Sequence, residues 1–135
     1  MKDAKKKALA EYLQEPIEDI TSGDGKYTTG GADYLVLTDD EAEERAREYI
    51  RESLWAFTED FIIQHSKALD YDEPSRQIIR AIQNECENGN EAVFKLIDDF
   101  EEFAEDAIST DGRGHFIATY DGHEREEGEY FIYRV

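Results

Sequence analysis

The stretch Tyr34–Ile50, YLVLTDDEAEERAREYI, decides the fold, because in it a short apolar run passes directly into a helical pattern. Tyr34–Leu37 consists of strand-forming residues and predicts a strand. Thr38 and Glu41 then form a Ser/Thr-x-x-Glu capping box, in which each side chain reaches the backbone N–H of the other residue. The sequence therefore predicts a strand followed at once by a helix.

Apolar residues recur along this predicted helix at intervals of three and four, which is the spacing of an amphipathic helix that faces a core. The stripe consists of Ala42, Ala46, Tyr49, Ile50, Leu54 and Phe57.

Towards the N-terminus, the pattern predicts a helix as far as about Leu13, an interruption at Pro16 and one short turn over Ile17–Ile20. The segment Thr21–Gly31 is rich in Gly, Ser and Thr and lacks the ending of a phosphate-binding loop. We interpret it as a flexible connector.

Towards the C-terminus, Thr58 is expected to cap a turn that carries Phe61, Ile62 and Ile63. Asp72–Pro74 has the composition of a helix start, and Gly89 is expected to end that helix. Its predicted inner face holds Ile78, Ile79, Ile82 and Cys86.

Asn90 is expected to cap a long helix that Gly112 and Gly114 end. The apolar stripe of this helix is Val93, Leu96, Ile97, Phe100, Phe103, Ala104 and Ala107. The opposite face carries acidic residues.

Two runs near the C-terminus, His115–Tyr120 and Tyr130–Val135, are rich in strand formers, and a polar segment, 121–129, separates them. They predict a β-hairpin with an acidic tip or loop, which the strand at 34–37 can join as a third strand. We therefore predict one α+β domain, 1–135, in which three to five helices pack with a small antiparallel sheet.

The composition limits the possible partners. Over 135 residues, 34 Asp and Glu face 15 Lys and Arg, which gives a net charge of −19 that would repel nucleic acid and anionic membranes. Basic proteins are the complementary partners, although a halophilic origin would give a similar count. The aromatic content, 12%, argues against disorder. With one cysteine, Cys86, and no apolar leader or membrane span, we expect a cytoplasmic protein.

The acidic residues concentrate in three runs, at 39–60, 98–106 and 121–129. On a helix, acids three or four residues apart lie about 5–6 Å from each other and form a ridge of negative charge, which a basic nucleic-acid-binding groove can receive. Such runs are also typical of faces that are merely solvated. The predicted partner-binding residues are Asp98, Asp99, Glu101, Glu102, Glu105 and Asp106, followed by Glu43, Glu44 and Glu48.

Residues that could carry chemistry are few. His115, His123 and Glu124, with Asp111 and Asp121, could ligate a metal, but known metal motifs are absent and Asp-Gly is ordinary turn chemistry. Cys86 is expected inside a helix among acids, which would raise the pKa of its thiol. No Gly-x-Ser-x-Gly elbow occurs. The sequence predicts no enzyme, no metal and no cofactor.

Aromatic residues offer a second kind of contact. Trp55 lies beside the Leu54 and Phe57 stripe, and Tyr120, Tyr130 and Tyr133 lie on the predicted hairpin. They are expected at the core edge, or as anchors of an interface.

Two blocks of the chain resemble a group of small acidic bacteriophage-encoded proteins, mostly of unassigned function. The first runs from Tyr34–Ala42 to Tyr49–Phe57, and the second comprises Asp111–Phe116, Tyr120–Gly122 and Tyr130–Arg134. The resemblance implies a phage protein acting in the bacterial host cytoplasm. Small acidic phage proteins of this kind are often inhibitors of host defence, including anti-CRISPR proteins and DNA mimics.

Two hypotheses follow. The first is an inhibitor that binds a basic, nucleic-acid-handling host protein through acidic helical faces, without binding nucleic acid or membrane itself. The alternative is a phage structural or housekeeping module whose acidity serves solubility and whose aromatic edge supports a homodimer.

Overall fold

A computed structural model describes residues 2–135, with the side chains of Lys2 and Asp3 left out. Its α-helices are α1 (Lys2–Leu13), α2 (Asp39–Glu52), α3 (Glu59–Gln64), α4 (Glu73–Gln83), α5 (Asn90–Leu96), α6 (Phe100–Asp111) and α7 (Arg113–Ile117). Its strands are β1 (Thr21–Gly23), β2 (Lys26–Thr29), β3 (Ala32–Leu37), β4 (Arg125–Glu127) and β5 (Tyr130–Arg134). Short 3-10 turns cover Ile17–Asp19, Leu54–Ala56 and Cys86–Gly89.

The chain divides into two compact units. The first combines the chain up to Ala46 with Asp111–Val135, and the second is Arg47–Thr110. The single domain expected from the sequence stays a prediction. Among the described helices, none has the length and apolar character needed to cross a bilayer.

The first unit is built on an antiparallel sheet with the strand order β1-β2-β3-β5-β4. The register pairs Leu35 with Tyr133 and Val36 with Ile132. The α+β class and the C-terminal hairpin are thus confirmed, and the predicted strand at 34–37 joins that hairpin.

One buried cluster of the first unit lies between α1 and the sheet. Its buried residues are Leu9, Ala10, Ile20, Tyr27, Val36 and Ile132. The predicted N-terminal helix and the short turn after Pro16 are both present. They supply Leu9 and Ile20, which are almost completely buried and thereby attach this segment to the sheet.

The prediction of a flexible connector over Thr21–Gly31 is wrong, because this segment forms β1, β2 and the turns beside them. Asp24 and Gly25 connect β1 to β2, and Gly30 and Gly31 connect β2 to β3; all four have positive φ. Two-residue hairpin turns require that backbone geometry, which Asp-Gly and Gly-Gly adopt readily. The glycines that suggested flexibility are therefore turn residues of a sheet.

The predicted strand His115–Tyr120 is also wrong. Phe116 and Ile117 are buried from within the short helix α7, and the first strand of the hairpin is β4 instead. A Cβ at Gly114 would lie 2.6 Å from the carbonyl oxygen of Gly122, so α7 packs directly on the following loop. Tertiary packing of these apolar residues overrides their strand propensity.

In the second unit, the predicted cap at Thr58 and the helix start predicted at Asp72–Pro74 are confirmed, and Asp72 itself is the capping residue. Thr58 Oγ1 accepts the N–H of Phe61 at 3.3 Å, and Asp72 Oδ1 accepts the N–H of Ser75 at 2.9 Å. The unit's fully buried apolar residues are Ile50, Leu54, Ile62, Ile79, Val93, Phe103 and Ala104. Leu54 is buried as predicted, but from a 3-10 turn beyond the end of α2.

The predicted long helix from Asn90 is two helices, α5 and α6, since Ile97 has an extended backbone. Asn90 does not cap it: the Asn90 side chain accepts the N–H of Trp55 at 3.0 Å and donates to the carbonyl of Glu52. This break contributes to a helix number, seven among the described residues, above the expected three to five.

The helix predicted to run to Gly89 ends at Gln83. Cys86 lies beyond it with a φ of +52° and is exposed, so the prediction that it faces the helix interior is wrong. Ile78, also predicted inside, is 49% exposed, whereas its neighbour Ile79 is fully buried.

Candidate protein-binding surface

The capping box of α2 fixes the start of the helix on which three of the predicted binding glutamates lie. Glu41 N–H donates to Thr38 Oγ1 at 3.2 Å, and Thr38 N–H donates to Glu41 Oε1 at 2.9 Å, which confirms the predicted reciprocal pair. A hydrogen bond from Lys5, together with that from Thr38, lowers the pKa of Glu41. The capping box therefore fixes the residue at which the helix begins. That start determines which of the later glutamates face solvent.

Three glutamates of α2 were predicted to bind a partner, and the structure separates them. Glu43 is half-buried and pairs with Arg113 at 3.2 Å. Glu44 and Glu48 are exposed and lie one turn apart, and neither carboxylate has a hydrogen bond or ion pair among the described side chains.

Asp98 and Asp99, in the break between α5 and α6, are occupied by local structure. Asp98 Oδ2 accepts the backbone N–H of Lys67 at 2.7 Å. Asp99 Oδ1 accepts the N–H of Glu102 at 3.2 Å and so caps α6. These two predicted binding residues have structural roles that an ungapped helical pattern could not indicate.

Two of the four acids predicted on α6 itself are engaged as well. Glu101 Oε2 lies 3.1 Å from Arg47 Nε, an ion pair without hydrogen-bond geometry. Asp106 contacts the largely buried His65 ring at 2.9 Å and accepts from Gln64 at 3.3 Å. Within the second unit, the Arg47 pair places the C-terminal half of α2 beside the start of α6.

Glu102 and Glu105 are the other two acids predicted on α6. Both are exposed, and their carboxylates have no partner among the described side chains. Glu102 also borders an open cleft of about 520 Å³ together with Asp98, Asp99 and the segment 64–67. We call Glu44, Glu48, Glu102 and Glu105 the unpaired glutamates; they offer carboxylates that can accept hydrogen bonds from Lys or Arg of another molecule.

Two of the five residues considered above as metal ligands, Asp121 and Glu124, form ion pairs instead. Asp121 pairs with Arg125 at 2.7 Å, and that hydrogen bond lowers the pKa of the Asp121 carboxyl. His115 and His123 are exposed. Within the described part of the chain, no group of three or more His, Cys, Asp or Glu is placed to hold a metal ion.

Arg113 is the centre of a network that the sequence did not indicate. Its side chain, 10% exposed, pairs with Asp39 at 2.7 Å and Glu124 at 2.9 Å, and the Tyr133 hydroxyl donates to the same Glu124. Burial acts to lower the pKa of Arg113, but the hydrogen bonds to Glu124 and Asp39 outweigh it and raise the pKa. Burial and the Glu124 contact raise the pKa of Tyr133. The network connects α2, α7, β5 and the segment before β4 within the first unit.

The aromatic residues divide between core and surface. Tyr133 is fully buried and therefore not available as an interface anchor, contrary to that alternative. Tyr120 is not on a strand: it is 63% exposed in a turn, with Arg134 stacked 3.7 Å above its ring. Trp55 and Tyr130 are half-buried, as expected at a core edge.

Comparison with known proteins identifies no relative of this chain. No protein-family model, no curated protein and no solved structure matches the chain.

Proposed function

We propose that this chain is a phage-encoded inhibitor, of the anti-CRISPR or DNA-mimic type, of a host defence or nucleic-acid-handling protein. It acts in the bacterial host cytoplasm and occupies a basic surface of its target with the acidic faces of α2 and α6. The phage context comes from the resemblance of the Tyr34–Phe57 and Asp111–Arg134 blocks to small acidic phage proteins.

The observation that carries this proposal is the pairing state of the acidic residues. Of the nine predicted binding residues, the unpaired glutamates keep exposed carboxylates with no cation beside them among the described side chains. Glutamates one turn apart repel each other, so neither of these two pairs stabilises its helix by an interaction between its members. Carboxylates that the fold does not use are the ones available to a partner.

The proposed binding is electrostatic in its first step. A net charge of −19 attracts a basic protein over distances of about a Debye length, about 8 Å at physiological salt, and speeds association. Each Lys or Arg that normally contacts a phosphate can contact a carboxylate instead. Binding should therefore weaken steeply as the salt concentration rises.

The test is capture of proteins from bacterial host lysate at low and high salt by the natural chain and two charge-reversal variants. One variant carries Glu102→Lys and Glu105→Lys on α6. Its matched control carries Glu11→Lys and Glu18→Lys, two exposed glutamates of the first unit, so both variants have the same net charge. We expect the α6 variant to capture at least about tenfold less nucleic-acid-binding protein than the natural chain. The control variant should capture nearly as much as the natural chain.

A second readout checks the mimicry itself. Duplex DNA added to the captured complex should displace the chain from its target, because both would occupy the same basic groove. Equal losses in the two variants, or capture that ignores salt and DNA, would contradict the proposal. That outcome favours the alternative, a phage structural or housekeeping module whose acidity serves solubility.

A further inference from the structure

Helix α4 has an apolar stripe on its solvent side, away from the buried Ile79. Pro74, Ile78 and Ala81 are exposed and lie four and three residues apart, so they share one face over two turns, about 10 Å. Ile78 is 49% exposed. Tyr71, 61% exposed, precedes the helix, and the exposed Cys86 follows it.

Acidic residues lie at both ends of this stripe. Asp70 and Asp72 come just before α4, and Glu85 and Glu87 come just after it; all four are exposed. Arg76 and Arg80 also lie on α4, but both are engaged in ion pairs. They pair with Glu59, Asp60 and Glu73, and Arg76 also attracts the Asp72 carboxylate. The other three end acids have no ion pair among the described side chains, so both ends stay acidic.

We infer that the α4 stripe, defined as Pro74, Ile78 and Ala81, is a docking surface for a basic amphipathic helix of a partner protein. Apolar residues at positions i, i+4 and i+7 are the anchors that helix–helix recognition uses. The acids at both ends are complementary to Lys or Arg flanking the apolar face of such a helix.

The charges argue against the other occupants. In an antiparallel pair of two copies, the Asp70 and Asp72 end of one stripe would meet the Glu85 and Glu87 end of the other, and like charges at an interface are repulsive. Nucleic acid and anionic lipid carry the same sign of charge as the ends. A cationic, apolar-faced helix satisfies both the stripe and its ends. This surface does not involve the unpaired glutamates, so it stands or fails independently of the proposed function.

The test uses a synthetic helical peptide with Leu at positions i, i+4 and i+7 and Lys elsewhere, beside a scrambled peptide of the same composition. Binding to the full chain is measured by calorimetry and by amide chemical shifts. The variant Ile78→Asn removes the central anchor. Ile17→Asn makes the same change at an isoleucine that is 39% exposed in the first unit.

We expect the ordered peptide to bind on the order of tenfold more tightly than the scrambled one, with shifts centred on 74–81. Ile78→Asn should remove most of that difference, and Ile17→Asn should leave it unchanged. Equal binding of the two peptides, or equal effects of the two variants, overturns the inference. Concentration-dependent self-association that Ile78→Asn abolishes also overturns it, since the stripe would then be covered by a second copy.

Discussion

At the scale of single residues, Arg113 connects more charged groups than any other described residue of the first unit. Its guanidinium contacts carboxylates at the start of α2 and before β4, and it stacks 4.7 Å from the ring of Phe131. Only a planar side chain with several donors can satisfy three carboxylates and a ring at once. Removing it leaves three neighbouring carboxylates, of which Glu43 is half-buried and the other two are exposed, without their cation.

We expect Arg113→Ala to lower the free energy of unfolding by about 2–3 kcal/mol, because hydrogen bonds to charged groups are lost and the acids then repel. The change in the free energy of unfolding is measured by urea titration, with circular dichroism as the signal. Arg113→Lys keeps the charge but not the fork and should lose less. Arg45→Ala, at an exposed arginine without a described partner, is the control and should change stability by less than about 0.5 kcal/mol. Similar losses at positions 45 and 113 would show that the network is not stabilising.

The hairpin turn at Asp24–Gly25 gives a second prediction at this scale. An added Cβ has no atom within 4 Å at either Gly23 or Gly25, but only Gly25 has a positive φ, +76°. Gly25→Ala should therefore destabilise the protein by about 1 kcal/mol through backbone strain alone. Gly23→Ala should be neutral or slightly stabilising in the same thermal melt. Equal effects of the two substitutions would contradict the turn geometry.

At the scale of elements, α2 combines a stabilising start with a destabilising charge pattern. Glu44 and Glu48 lie at positions i and i+4, where like charges cost about 0.2–0.5 kcal/mol. Removing such like-charge pairs is a common way to make a protein more stable.

We therefore expect the double variant Glu44→Gln, Glu48→Gln to raise the free energy of unfolding by about 0.2–0.5 kcal/mol. Glu43→Gln, one residue away on the same helix, should lower it, because Glu43 pairs with Arg113. Chemical denaturation of the natural chain and the two variants measures the direction of each change in the free energy of unfolding. If both variants shifted stability in the same direction, pairing would not be what distinguishes these glutamates.

The elements that could be predicted from the sequence are those with local signals. They are the capping box at Thr38 and Glu41, the cap at Thr58, the helix start at Asp72–Pro74 and the apolar run at 34–37, each of which depends on neighbours within a few residues. Such interactions form wherever the backbone allows them.

The elements that were missed depend on contacts distant in sequence or on turn chemistry. The apolar period continues through Ile97, and the break there is stabilised by the backbone of residues 65 and 67 hydrogen-bonding Asp98. The Asp24–Gly25 turn did carry a usable signal, since Asp-Gly is a favoured hairpin pair. For the candidate site, the sequence indicated the acidic residues, but which of them remain unpaired depends on Arg47, Arg113 and His65 from other elements.

At the scale of the whole molecule, low pH protonates the carboxylates whose hydrogen bonds stabilise the fold. The pKa of Glu41 is lowered by hydrogen bonds from Lys5 and Thr38, and that of Asp121 by its bond from Arg125. A lowered folded pKa stabilises the fold above the unfolded value, about 4.3 for Glu and 3.9 for Asp, and this contribution is lost as the pH falls through the folded value. We expect stability to decline below about pH 4, and Asp121→Asn to flatten that decline. Parallel pH curves for the two proteins would contradict this assignment.

Salt screens the repulsion between the exposed carboxylates that contribute no ion pair to the fold. At pH 7 a net charge of −19 destabilises the compact state by self-repulsion, so raising NaCl from about 20 mM to about 0.5 M, which shortens the Debye length, should raise the melting temperature. Near pH 4.3, the pI of the sequence, repulsion between like charges is largely gone and salt should leave the melting temperature unchanged or lower it. Calorimetry at both pH values measures this contrast, and a melting temperature independent of salt at pH 7 would contradict it. The same salt should weaken capture of a basic partner, so stability and binding should respond to salt in opposite directions; that opposition distinguishes charge presented to a partner from charge that serves solubility alone.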